Sequence, residues 1–170
     1  MPKHSGWKRD IAGGRLAAQY DGTEVFDFDA NDMAITPALT TAAVTASGAL
    51  RTSSTSPLGY TTGAGGVVTQ ATSITTGVTL NTPTGQITTV TNPSIAAAAE
   101  ASFVVTNSAV AAIDVVVVSV QDQFTDGQVI AAVTKVDAGS FEVTLTNVSA
   151  AAVSAGTAVI NFAVFKSAAS

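Results

Sequence analysis

Short segments in the C-terminal part of the chain alternate strictly between apolar and polar side chains. In SFEVTLTNV, the residues Phe141, Val143 and Leu145 share one face, and the residues between them are polar. In VINFAVFK, Ile160 starts a similar apolar face, and Phe165 falls on the other face. A period of two is typical of strands that bury one side. Both segments are therefore predicted to be half-buried strands.

Six other segments have the length and the flanking turn residues of strands. They are Val67–Gln70, Gly77–Leu80, Gln86–Val90, Ala101–Thr106, Ile113–Val120 and Gln128–Lys135. The run IDVVVVSV lacks polar alternation and is predicted to be a central strand covered on both faces. IAAAAEA is the one plausible helical turn. These elements predict an all-β protein, with an antiparallel β-sandwich or jelly-roll body, an extended N-terminal arm and a short stem.

Composition divides the chain into three regions. Residues 1–33 contain four of the seven cationic side chains, followed by an acidic block. Residues 34–56 are rich in Ala, Thr and Ser, which is typical of a stem that orders against copies of itself or of a flexible linker. Residues 57–170 contain every predicted strand and form the sandwich body.

The N-terminal region has the composition of an arm that docks onto another protein. Its basic head and its acidic block are interspersed with aromatic residues. A partly disordered terminus is the alternative interpretation. The candidate docking residues are Trp7, Lys8, Arg9, Arg15, Tyr20 and Phe26.

The body begins with a long uncharged run, from Thr52 to Ala99. Monomeric β proteins use charged side chains to discourage edge-to-edge pairing of strands, and this run has none. We expect copies of the chain to cover it around a shared symmetry axis, as in a homotrimer. The candidate self-association residues are Val67, Val68, Thr69, Val78, Thr79 and Ile87.

Groups that carry catalysis or bind metals are scarce. The chain has one histidine, His4, and no cysteine, so nucleophilic triads and zinc sites are not expected. DFDAND resembles a calcium loop, but Asp32 stands where the loop needs glycine. GYTTGAGG lacks the Gly-Lys-Ser/Thr ending of a phosphate loop, and its glycines are expected to allow a turn or a close backbone approach. We predict no enzyme activity, no metal and no cofactor.

Charge and hydropathy exclude two classes of partner. The net charge of −5 argues against nucleic-acid binding, which needs a basic patch. Mean hydropathy is +0.40, yet the most apolar window spans only residues 109–120 and contains Asp114. A membrane-spanning helix needs about 20 apolar residues, so no membrane segment is predicted.

The uncharged run also carries a resemblance. GYTTGAGGVVTQATSITTGVTLNTPTGQIT, followed by SFVVTNSAVAAIDVVVVS and VINFAVFK, resembles a family of small proteins encoded among the virion structural genes of tailed bacteriophages. Members are described as head-fibre or capsid-decoration proteins. The similarity covers about residues 59–166, and the preceding stem is similar to repeated β segments of longer phage fibres.

The resemblance implies a non-enzymatic module on the exterior of the viral capsid. The partners that it implies are the major capsid protein, contacted through the N-terminal arm, and further copies of the chain in a homotrimer. The alternative is a tail-fibre or receptor-binding module that recognises host surface carbohydrate.

Overall fold

The computed structural model describes residues 58–124 and 127–168, together with four strands nearer the N-terminus. The chain forms two compact units, Met1–Ser53 and Ser54–Ser170. The predicted stem lies outside the described residues, except for Ala34.

The N-terminal unit contains a small antiparallel sheet. Its strands pair in chain order, so each one follows its neighbour through a short connection. The strands are β1 (Ser5–Asp10), β2 (Arg15–Tyr20), β3 (Thr23–Phe28) and β4 (Met33–Ala34). The region predicted to be an extended arm therefore includes paired strands.

Eight strands in two four-stranded sheets form the body. The strands are β5 (Gly65–Thr69), β6 (Val78–Thr79), β7 (Thr84–Thr88), β8 (Glu100–Thr106), β9 (Val115–Asp122), β10 (Val129–Asp137), β11 (Ser140–Asn147) and β12 (Val159–Phe165). Sheet I has the order β5-β7-β12-β9, and sheet II has the order β10-β11-β8-β6. Pairing is antiparallel except for β5 with β7 and β6 with β8. The predicted all-β sandwich is confirmed, and the described residues contain no helix that could span a membrane.

The core lies between the inner faces of the two sheets. Phe141, Val143 and Leu145 of β11 are buried, as are Ile160 and Phe162 of β12. The rings of Phe141 and Phe162 lie 5.3 Å apart, centroid to centroid, at a tilted angle that suits aromatic pairs. The period of two in the sequence therefore identified the buried face of both strands correctly.

The valine run was predicted to be a central strand, and this prediction is wrong. The strand that it forms, β9, pairs with β12 alone and lies at the edge of sheet I. Val116 faces the core, while Val115 and Val117 are 55% and 50% exposed. Valine occupies both faces of the strand, so the apolar pattern could not show which face is open to solvent.

The predicted helical turn is also absent. Ile95 forms an antiparallel bridge with Val153, and β8 already begins at Glu100. The alanines between them form a turn in which the amide of Ala99 donates to the carbonyl of Ala96. Ile95 is buried in the core, which fixes this segment through tertiary packing rather than through helix propensity.

The glycine cluster packs where the backbone must come close to a side chain. A Cβ on Gly66 would lie 2.7 Å from Leu80, and a Cβ on Gly85 would lie 2.6 Å from the same residue. Gly66 and Gly85 are in register on neighbouring strands, so together they form a slot for the leucine. Gly63 adopts a φ of +93°, which side chains rarely allow. The expected roles of these glycines in a turn and in a close approach are confirmed.

Candidate functional site

The outer face of sheet I carries very little charge, with a single charged residue in its four strands. Cross-strand register fixes its rows: Val67 pairs with Gln86, Gln86 with Asn161, and Asn161 with Ser119. The outward positions are Gly65, Val67, Thr69, Thr84, Gln86, Thr88, Val115, Val117, Ser119, Gln121, Val159, Asn161, Ala163 and Phe165. Asp122 is the one charged residue in these four strands; it lies beyond the bulge of β9, is exposed and pairs with the outward Val159, so it belongs to the end of this face.

Polar groups in the middle of this face already have hydrogen-bond partners. The side-chain amide of Gln86 donates to Gln121 at 2.7 Å and to Asn161 at 3.3 Å. The hydroxyl of Thr84 donates to the carbonyl of Phe162 at 2.8 Å. The amide protons of Gln86 and the hydroxyl of Thr84 would therefore keep their partners if the face were covered.

Exposed apolar side chains flank the amides. Val67 lies on β5 at one edge of the sheet, while Val117 and Phe165 lie towards the other. Val67 is 69% exposed and Phe165 is 56% exposed. Large apolar side chains grouped on one face of a soluble protein commonly mark an interaction surface. This face, defined by the outward positions of sheet I, is the candidate interaction surface of the body.

Two open depressions lie on the same face. One, of about 640 Å³, is lined by Tyr60, by the glycines around β5, and by Thr84, Gln86 and Asn161. The other, of about 300 Å³, lies between β12 and β9 and is lined in part by Val117 and Phe165. The Tyr60 hydroxyl donates to the carbonyl of Val164, which holds the ring at the rim of the larger depression.

Sheet II presents a different outer face. Glu142 pairs with Lys135 on one side and with Val104 on the other. Hydroxyls form a ladder in which Thr144 bonds to Ser102 at 2.7 Å and to Thr134 at 2.9 Å. The four strands of sheet II contain four charged residues: Glu100, Lys135, Asp137 and Glu142. The strands of sheet II therefore carry more charge than those of sheet I.

The predicted self-association residues divide between surface and core. Val67, Thr69 and Thr79 are exposed, and Val68 is half-buried against the core. Val78 and Ile87 are buried between the sheets, so their side chains are not available to another molecule in this fold. The prediction treated the uncharged run as one surface, although alternate residues of a strand lie on opposite faces.

Sequence reasoning missed the half of this face that β9 and β12 supply. Val115, Val117 and Phe165 lie far from the uncharged run in sequence, and strand pairing brings them beside it. A signal was present in VINFAVFK, where Phe165 shares the outward face with Asn161 and Ala163. A phenylalanine at an outward position is a candidate contact residue.

The candidate docking residues all lie in the first three strands of the N-terminal sheet. Trp7 pairs with Ala18, and Ala18 pairs with Phe26, so this row crosses three strands. Lys8 pairs with Ala17 and Arg9 with Leu16, while Arg15 pairs with Asp10 and Tyr20 with Ser5. Strand pairing thus brings the six candidates into one small sheet.

Among residues 58–124 and 127–168, one carboxylate is deeply buried. The side chain of Asp114 is 1% exposed and forms an ion pair with Lys166. The amide of Ala111 donates to its carboxylate at 2.7 Å, and this bond, with that from Lys166, lowers the pKa of Asp114 against the opposing effect of burial. Within those residues, no group of three His, Cys, Asp or Glu side chains could hold a metal ion.

Family models, curated proteins and solved structures were each compared with the chain, and none of them matches. The function is therefore argued from the fold, from its surfaces and from the resemblance to phage virion proteins. The two surfaces that bear on it are the outer face of sheet I and the N-terminal sheet.

Proposed function

We propose that the protein is a non-enzymatic structural protein of a bacteriophage virion. It is a capsid decoration or short head-fibre protein on the exterior of the capsid. The N-terminal region binds the major capsid protein, the sandwich projects outward, and three copies associate. Neither a cofactor nor a metal takes part, and neither nucleic acid nor membrane is a partner.

The observation that carries this proposal is the division of the chain into two units with different surfaces. The candidate docking residues fall together in the small sheet of unit Met1–Ser53. A separate sandwich, with one charged residue in the four strands of sheet I, forms the second unit. A protein that is anchored by one part and contacts its own copies through another needs such a division into two units. The resemblance to head-fibre proteins indicates that the anchoring surface is a phage capsid.

Docking is best assigned to the N-terminal sheet, which holds all six candidate residues. Trp7 and Phe26 both pair with Ala18, so they belong to one row across the sheet, and aromatic residues dominate the energetics of many protein interfaces. Arg9 belongs to the same strand as Trp7 and can pair with an acidic surface of the capsid protein. Three anchors in one trimer add avidity without requiring a single strong contact.

Deletion of residues 1–16 tests the anchor. We expect the truncated protein to lose binding to purified particles that lack the native protein, while the body keeps its far-UV circular dichroism and its unfolding transition. Full retention on particles would refute the anchoring proposal.

A charge-matched pair of variants separates a specific contact from a general effect of net charge. Arg9→Glu changes a cation in β1 of the N-terminal sheet, whereas Lys135→Glu makes the same charge change on sheet II. We expect co-sedimentation with particles to fall at least tenfold for Arg9→Glu and to stay within twofold for Lys135→Glu. Equal losses would show that the arginine makes no specific contact.

The larger depression favours one second candidate, a receptor-binding module for a neutral saccharide. Tyr60 is 47% exposed at its rim, and the amides of Gln86 and Asn161 line it. Aromatic rings and side-chain amides are groups that can stack on a sugar and bond to its hydroxyls. Antibody labelling of intact particles discriminates between the candidates, because labelling confined to the tail supports the receptor-binding module and labelling over the whole head opposes it.

A further inference from the structure

We propose that copies of this chain associate through the outer face of sheet I, with the three faces turned towards a shared three-fold axis. This inference deepens the proposed function, on which its three-fold symmetry rests, by assigning the surface. It covers the outward positions of β5, β7, β9 and β12, from Val67 at one edge to Val117 and Phe165 towards the other.

The scarcity of charge follows the face rather than the sequence. The uncharged run ends at Ala99, yet β9 and β12 beyond it bring only one charged residue, Asp122, to this face beside the uncharged Ser119, Asn161 and Ala163. Over the same stretch of sequence, β8, β10 and β11 carry four charged residues into sheet II. Composition alone does not produce this division, because strands from both sheets alternate along the chain. A functional constraint on the outer face of sheet I accounts for this difference in charge between the two sheets.

Identical copies are the occupant that an uncharged face suits. Around a three-fold axis each side chain near the axis meets its own equivalents, so any charge there would face like charges at short range. A partner of opposite charge would instead favour a charged face, as sheet II has. The outward positions of sheet I meet the requirement of self-association and offer nothing for charge steering.

The polar groups of the face lower the cost of covering it. Gln86 donates to both Gln121 and Asn161, and Thr84 donates to a backbone carbonyl. Burying a polar group is costly mainly when it loses its partner. Val67, Val117 and Phe165 then supply apolar surface, and the depressions beside them leave room for side chains of a neighbouring copy.

The area of the face determines how strongly the copies are expected to associate. Four strands about 4.8 Å apart and five to eight residues long make a footprint of roughly 400 Å². A stable protein interface buries about 800 Å² on each partner. The face alone therefore supports weak association, with a dissociation constant in the range of roughly 1–100 µM.

Val117→Lys and Val104→Lys form a matched pair for the test. Both valines lie on the outer face of a four-stranded sheet, and they are 50% and 45% exposed. Val117 belongs to sheet I, whereas Val104 belongs to sheet II, where it pairs with Glu142. Each change adds one positive charge at an exposed position. Sedimentation equilibrium of the full chain, up to roughly 200 µM, measures association.

We expect the wild type and Val104→Lys to associate with dissociation constants within threefold of each other, and Val117→Lys to associate at least tenfold more weakly. Ser119→Glu changes an exposed polar position of the same face and should weaken association similarly. It provides a second test of the face in case Val117→Lys misfolds. The proposal is overturned by a monomeric wild type over the whole range, by unchanged association of both sheet I variants, or by equal loss in Val104→Lys.

The outcome is separate from that of the anchoring experiment. A monomeric wild type that still binds particles through its N-terminal region would overturn the face assignment and leave anchoring intact. If Val117→Lys weakens particle binding in such a monomer, the occupant of the face is the capsid protein. If instead it weakens binding to immobilised neutral glycans, the occupant is a saccharide, and self-association through this face is refuted.

Discussion

Replacement of Gly85 by alanine tests the packing beneath the candidate interaction surface. Gly85 lies on the inner side of β7, in register with Gly66 on one neighbouring strand and with Phe162 on the other. A Cβ at this position would lie 2.6 Å from Leu80 Cδ2, 2.8 Å from Phe162 Cε1 and 3.0 Å from the carbonyl oxygen of Gly66. The optimal distance between two carbon atoms is about 3.5–4.0 Å, so both carbon contacts are roughly 1 Å too short.

The magnitude depends on which of these neighbours can move. The end of Leu80 can rotate, but the ring of Phe162 is 3% exposed in the core and the carbonyl of Gly66 is fixed within a strand. Overpacking of a core costs about 1–3 kcal/mol, and we expect Gly85→Ala to reach the upper end, about 3 kcal/mol. In a domain of this size that corresponds to a fall in Tm of roughly 10 °C.

Two further alanine variants calibrate the measurement. Gly66→Ala would meet Leu80 Cδ1 at 2.7 Å, with Thr82 Cγ2 the next neighbour at 3.7 Å, so rotation of the leucine relieves most of the clash and we expect a loss of about 1 kcal/mol. Gly59→Ala meets nothing within 4 Å and should change stability by less than about 0.5 kcal/mol.

Urea unfolding followed by far-UV circular dichroism measures all three variants at one protein concentration, because association would shift the midpoints. The expected order of destabilisation is Gly85→Ala, then Gly66→Ala, then Gly59→Ala. This account of the slot would be refuted if Gly85→Ala were as stable as Gly59→Ala. It would also be refuted if Gly66→Ala lost more unfolding free energy than Gly85→Ala.

Two other predictions concern buried polar groups. The bonds from Ala111 and Lys166 hold the pKa of Asp114 below its usual value of 3.8, so its contribution to stability is present above that value and is lost as the pH falls through the lowered pKa. Asp114→Asn should therefore flatten the dependence of the unfolding free energy on pH in the acid range below about pH 5, and an unchanged slope would contradict this. Asn147 is fully buried, and its side-chain amide donates to three backbone carbonyls. Asn147→Asp should therefore lower the free energy of unfolding by about 3 kcal/mol or more, whereas Ser149→Ala, which removes a hydroxyl bonded to Asn147, should lower it by about 1 kcal/mol. Equal losses of the two variants in urea unfolding would contradict the role of the amide.

The period of two predicted the strands whose two faces differ in polarity, because burial on one side leaves a direct trace in the sequence. It identified β11 and β12 together with the residues that they bury, such as Phe141 and Ile160. It failed for β9, where Val115 and Val116 are the same residue type on opposite faces. Position within a sheet depends on pairing between distant strands, and a local pattern does not encode that pairing.

The candidate surface was predictable only in part, for the same reason. The uncharged run pointed to β5 and β7, but the same run also contains Val78 and Ile87, which face the core. The length of an uncharged run does not distinguish the inward from the outward residues of a strand, because these alternate along it. The remaining contribution, from Val117 and Phe165, needed the register between β12 and β9.

The weak association expected of the sheet I face and the anchoring expected of the N-terminal sheet support each other. A face of roughly 400 Å² is too small to hold a trimer together at low concentration. Copies anchored at neighbouring sites on one particle would meet at an effective concentration in the millimolar range for short linkers, well above the expected dissociation constant. A weak, uncharged face would then assemble on the particle while leaving the free protein soluble, whereas a strong face would risk premature association. Particle binding should accordingly become less cooperative in Val117→Lys than in Val104→Lys, even where the N-terminal sheet is unchanged.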